Sequence, residues 1–119
     1  MAAPGEAGHG GMTPPEPRVR LPERAVRGEP VTVRALITHP METGLRSDPA
    51  GHSIPRRIIN RFACLYDGVE VFGAELHEAV AANPYLEFEL IAGDSGRLEF
   101  LWYEDGGAVF SASRPLVVE

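Results

Sequence analysis

The sequence predicts an all-β domain, an immunoglobulin-like antiparallel β-sandwich of about seven strands with no disulfide. Three observations carry this reading. Short segments of apolar/polar alternation recur from Arg18 almost to the end of the chain. Turn chemistry separates these segments, and the one helical pattern is brief: Leu76 to Ala82, stopped by Asn83-Pro84.

Taken in order, residues 1–17 hold eight Gly or Pro and read as a flexible tail, leaving 18–119 as the sandwich. Val19 and Leu21 alternate with Arg18 and Arg20 in a first strand. Gly28-Glu29-Pro30 turns the chain into a second, where Val31, Val33, Ala35 and Ile37 form one apolar face. Residues 57–66 make a third, with Ile58, Phe62, Cys64 and Tyr66 on one side. Asp67-Gly68 signals a hairpin into a return strand, 69–74. Leu86, Phe88 and Leu90, then Leu98, Phe100 and Trp102, mark two half-buried strands. Asp94-Ser95-Gly96 and Asp105-Gly106-Gly107 supply the turns between them and into a last strand, 108–118.

Composition removes several function classes. The length of 119 residues suits one domain, and 44% hydrophobic with 24% charged is ordinary for a globular protein. All 11 basic residues are arginine, so Schiff-base lysine chemistry and a P-loop are excluded. The single cysteine, Cys64, excludes an intrachain disulfide and any multi-thiolate metal site. A net charge of -6 opposes nonspecific attraction to nucleic-acid phosphates. No apolar run approaches the roughly 18 residues of a membrane span, and the tail lacks the apolar core of a secretory signal, so no export address is expected on this chain. The charge is also divided: residues 1–61 carry net +3 and residues 62–119 net -9.

The segment from His39 to Pro55 is longer than a sandwich connection requires, and ordered long loops are commonly working surfaces. Around it gather Arg46, Arg56, Arg57 and Arg61, a basic end for an acidic partner or ligand. Cys64 lies inside a strand, without the cationic or helix-terminal setting that makes a reactive thiolate, and reads as a small core hydrophobe. A blue-copper site of His39, Met41, Cys64 and His77 fits poorly, because such sites gather their Cys, second His and Met in one loop. The serines and the Glu87/Glu89 pair show no catalytic constellation. No cofactor or metal is expected, and the residues alone point to a noncatalytic binding module. A copper-binding electron-transfer sandwich and a stand-alone interaction module remain open.

The run His39-Pro40-Met41-Glu42-Thr43-Gly44-Leu45-Arg46 leads on to Ile54-Pro55-Arg56-Arg57-Ile58-Ile59-Asn60. With Val71-Phe72, Leu76-His77, Ala82-Asn83-Pro84-Tyr85-Leu86 and Phe100-Leu101-Trp102, in that order, the chain resembles the SoxZ family of the thiosulfate-oxidising system. The resemblance covers Pro17 to about Val118. It implies a noncatalytic sandwich subunit that forms a heterodimer with SoxY, whose cysteine in a Gly-rich C-terminal arm holds the sulfur intermediate. It further implies docking of a c-type cytochrome pair, a thiol-conjugate hydrolase and a sulfane dehydrogenase. The location implied is periplasmic, with export as a folded passenger of SoxY. On this basis His39, Met41, Glu42, Gly44, Arg46, Arg56, Arg57 and Asn60 form the expected partner surface. Gly44 would serve a backbone turn and the arginines would steer acidic partners or the anionic conjugate. Cys64, Tyr85 and Trp102 are expected to be structural, Tyr85 at the corner that opens the strand after Asn83-Pro84.

Overall fold

Alternating side chains can bury one face of a strand only if a second sheet covers it, and the chain solves this with two sheets packed face to face. The computed structural model describes residues 15–39, 41–42, 44–77 and 84–119. Its strands are β1 (Glu16–Arg20), β2 (Pro30–Thr38), β3 (Ile59–Tyr66), β4 (Val69–Glu75), β5 (Tyr85–Ile91), β6 (Gly96–Glu104) and β7 (Val109–Leu116). One sheet has the order β1-β2-β5 and the other β4-β3-β6-β7, and every pairing within them is antiparallel. The fourth strand therefore joins β3, unlike the antibody constant arrangement, in which it sits with the first, second and fifth.

The core follows the predicted phase. Val33, Ile37, Phe62, Cys64, Leu98, Phe100 and Trp102 are fully buried. Phe62 is the hub, its ring lying 5.2 Å from Trp102, 5.9 Å from Phe88 and 6.2 Å from Phe72. Phe72 and Phe88 stack at 4.2 Å and couple the edge strands of the two sheets. The Nε1–H of Trp102 is buried without a hydrogen-bond partner among the described residues. Asp67 and Gly68 both take positive φ (48° and 86°), the requirement of a type I′ hairpin.

Several boundaries differ from the sequence reading. β1 takes in Glu16 and Pro17, which the reading left in the tail; Pro17 is tolerated because β1 is an edge strand. Residues 1–14 lie outside the described residues. β3 begins at Ile59, and a register shift between Ile59 and Arg61 changes its phase. Ile59, and not Ile58, therefore joins Phe62 and Cys64 in the core cluster, while Ile58 is buried outside it. Of the expected helix, Leu76 and His77 are not helical, and 78–82 lie outside the described residues.

Candidate functional site

The segment between β2 and β3 is a hairpin arm, where the sequence suggested an irregular loop. Glu42 and Arg57 exchange backbone hydrogen bonds of 2.8 and 2.6 Å, and Ser47 pairs with Ser53 farther out. Asp48 makes the turn at the tip: its Oδ1 accepts from the backbone N–H groups of Ala50 (2.9 Å) and His52 (2.8 Å). Gly44 holds φ +89°, and a Cβ there would lie 3.3 Å from Arg56 Cβ, so the two sides of the arm approach as closely as they do only with glycine at this point.

The base of the arm is clasped to the β6–β7 turn by Asp105. Its two carboxylate oxygens take four hydrogen bonds: from Arg56 Nε (2.8 Å) and Nη2 (2.9 Å), from the Ile58 backbone N–H (3.1 Å) and from Asn60 Nδ2 (2.9 Å). All of the carboxylate's acceptor capacity is used. The Arg56 guanidinium above all, helped by Asn60 and the Ile58 amide, holds the Asp105 carboxyl at about 2, against 3.8 ordinarily. The Asp105 N–H in turn donates to the Ile58 carbonyl at 3.0 Å.

Beside this clasp lies a second contact. The His39 side chain is almost wholly buried, with Nε2 2.5 Å from Glu104 Oε2 and Nδ1 3.1 Å from Met41 Sδ. Because a carboxylate only accepts, Nε2 carries the proton of the first bond. The ring also meets Phe110 edge-on at 5.8 Å. Met41 Sδ accepts weakly from the Ile59 N–H at 3.4 Å, so His39 and Met41 join the end of β2, the start of β3 and the β6–β7 turn.

The structure thus brings together His39, Met41, Glu42, Gly44, Arg46, Arg56, Arg57 and Asn60 in one arm and its root. It also corrects the basic end anticipated there. Arg46 bonds Glu42 at 3.0 Å through Nε and holds that carboxyl below its ordinary range. Arg56 faces Asp105, Arg57 Nε lies 3.8 Å from Glu104, and Arg61 bonds Glu70 at 3.0 Å. The positive charge is largely answered within the chain. Arg46 and Arg57 keep about two thirds of their side-chain surface in solvent, and Leu45, between Gly44 and Arg46, is 90% exposed. The arrangement is a braced arm with a mixed apolar and charged outer surface, suited to contact with a macromolecule.

Of the four copper ligands considered, only His39 and Met41 meet. Cys64 points into the core with its thiol pushed up to about 12 by burial, and His77 is exposed after β4. Among the described residues no three His, Cys, Asp or Glu side chains form a metal-binding group. Tyr85 opens β5 with its ring exposed and its hydroxyl donating to Glu87 Oε1 at 3.1 Å, while Trp102 is fully buried. Sequence reasoning missed Glu104 and Asp105, reading them only as strand end and turn. The turn-forming run Ser47-Asp48-Pro49-Ala50-Gly51 was the available signal for the hairpin.

The clasp predicts a pH signature. A carboxyl whose folded pKa is depressed contributes stability that is fully present above its unfolded value, near 3.8, and is lost as pH falls through about 2. With Arg56 partly in solvent, screening reduces this to about 1–2 kcal/mol. Asp105→Asn is expected to lower stability by about that amount at pH 7 and to lose less on acidification between about pH 4 and 2. Urea unfolding across that range measures it, and parallel pH profiles for the two proteins would remove the clasp from the account.

Comparison with known proteins adds the remaining observation. Two solved structures share the fold at TM-scores of 0.64 and 0.61. They are the superoxide reductase (neelaredoxin) from Ignicoccus hospitalis, at 20% identity over 87% of this chain and 80% of that one, and the sulfur carrier protein SoxY from Chlorobium limicola, at 15% identity over 87% and 78%. At such identities they speak for the sandwich alone. No curated protein sequence matches the chain. The family model of sulphur oxidation protein SoxZ matches residues 19–115, nearly the whole sandwich and all of the arm, and the chain belongs to the SoxZ family.

Proposed function

We propose that this chain is the noncatalytic subunit of a sulfur-carrier heterodimer in thiosulfate oxidation, paired with a SoxY chain that holds the sulfur intermediate on its own cysteine. Membership of the SoxZ family supports the pathway. The observation that carries the division of labour is the state of Cys64. It is the chain's one thiol, it is 0% exposed, and burial pushes its pKa to about 12. A carrier must present a thiolate to solvent and to successive enzymes. Cys64 does neither, so the cargo belongs on the partner and this chain contributes surface. The arm at 42–57, braced by Asp105 and Glu104, is the part of that surface offered to the cytochrome pair, the hydrolase and the sulfane dehydrogenase.

Peptide mass mapping of the pair isolated from thiosulfate-grown cells tests this. The sulfur adduct is expected on the SoxY cysteine and none on the Cys64 peptide, and Cys64→Ala should leave the adduct yield unchanged within twofold. An adduct on Cys64, or its loss in Cys64→Ala, would contradict the assignment.

The same reading places the working complex in the periplasm, reached with SoxY as the exported partner. Expressed without SoxY, the chain is expected to remain in the cytoplasmic fraction, and with it to move to the periplasmic one. Periplasmic recovery of the chain made alone refutes the passenger route.

A further inference from the structure

Eight of the chain's 11 arginines meet a carboxylate. Arg20, Arg97 and Arg114 meet none among the described residues, and two of these three, Arg20 and Arg114, stand in one cleft. The cleft, of about 430 Å³, opens between β1 and β7, each an edge strand of its sheet. It lies at the end of the sandwich away from the arm. Gly96 pairs with Leu116 beside it, whereas the other end of β6, at Glu104, meets Ile59 and the root of the arm. Val19, Leu21, Pro115 and Val117 give the cleft an apolar wall. Arg114 is its unusual member. In register it lies opposite Leu98, which is fully buried, so it takes the inward phase of β7 and is half-buried at the gap between the sheets. Its Nη1 donates to the Ser113 carbonyl at 2.8 Å, which occupies one of the five N–H donors of the guanidinium. An inward charge can serve to discourage pairing at a sheet edge, but here Pro17 and Pro115 already interrupt both edges.

We infer that this cleft binds an extended peptide segment of another protein, one that carries a glutamate or aspartate between apolar side chains. Charge complementarity names the acid: a half-buried guanidinium without a carboxylate lacks the partner that offsets its desolvation, and a carboxylate can take two of its free N–H groups at once. Arg20, exposed at the same cleft, adds a second cation to the site. Glu23 also lines the cleft but is exposed and bonds to neither arginine, so it leaves both available. The apolar wall names the rest of the ligand, because a hydrated inorganic anion would gain nothing from Val19, Leu21 or Val117. Shape selects an extended chain. The walls run along residues 19–23 and 114–117, which makes the cleft roughly 10–15 Å long, the span of about four extended residues. The site is distinct from the arm and does not depend on the pairing with SoxY proposed above.

The test titrates the acetylated, amidated peptide Val-Glu-Val-Glu-Val into the isotope-labelled full chain and follows the backbone amide resonances. Saturable shifts are expected at Leu21 and Val117. Affinity is expected to fall about fivefold for Arg114→Gln, and by a similar factor when Gln replaces Glu in the peptide. Arg20→Gln, at an exposed position that should leave the melting temperature unchanged, is expected to weaken binding in the same direction. Arg18→Gln, outside the cleft and already paired with Glu16, should bind as wild type does. Absence of shifts in the wild-type chain overturns the inference, and so do equal affinities for wild type, folded Arg20→Gln and folded Arg114→Gln. If sodium sulfate alone produces the same shifts and the peptide binds no more tightly than sulfate, the cleft is a small-anion site and the peptide reading falls. None of these outcomes bears on whether the chain pairs with SoxY.

Discussion

Asp105 joins parts of the chain that no continuous strand connects. Its carboxylate gathers the guanidinium of Arg56, the amide of Ile58 and the side chain of Asn60, so that the end of the arm, the start of β3 and the β6–β7 turn meet at one anion. A buried or half-buried carboxylate is stable only when its acceptors are filled, and here they are. Once this point is fixed, Arg57 comes within reach of Glu104, Glu104 meets His39, and His39 draws in Met41. The arm then leaves the sandwich in one direction. Without the clasp, sixteen residues of polar hairpin would be attached only at their ends, with little apolar burial to hold them.

The same contacts explain the uneven charge along the sequence. The arginine-rich first half and the acid-rich second half neutralise one another across the fold. Arg56 meets Asp105, Arg57 Glu104, Arg34 Glu87, Arg27 Asp94 and Arg24 Glu119. Most of these pairs are exposed and each is worth little alone. Their joint effect is to leave little net positive charge at the arm and its root, so the recognition proposed there would rely on shape and mixed contacts more than on long-range steering. A thiol sealed in the core is consistent with the proposed role, in which the partner chain and not this one holds the sulfur.

Much of this was legible in the residues. The inward phase of Val31, Val33, Ala35 and Ile37, and of Leu98, Phe100 and Trp102, follows directly from period-2 alternation. The burial of Cys64 followed from its place between Phe62 and Tyr66. The rest depended on tertiary facts. A bulge is not visible in a run such as Arg57-Ile58-Ile59-Asn60, because both isoleucines are apolar and either could face the core; the pairing with β6 decided it. Which sheet β4 joins is likewise a long-range matter. Asp105-Gly106-Gly107 looked like turn chemistry alone, and the carboxylate's second role required Arg56, 49 residues away in sequence. The resemblance drew attention to the His39–Asn60 segment without giving its geometry.

The central claim is that this chain acts as one half of a pair whose other half carries the cargo. Native mass spectrometry of the chain mixed with the SoxY chain of the same organism, at micromolar concentration, addresses it most directly. The account predicts one dominant species at the summed mass of one copy of each, with any bound sulfur remaining on SoxY when the complex is dissociated in the gas phase. Two separate monomers under those conditions, or sulfur retained by this chain, would contradict it.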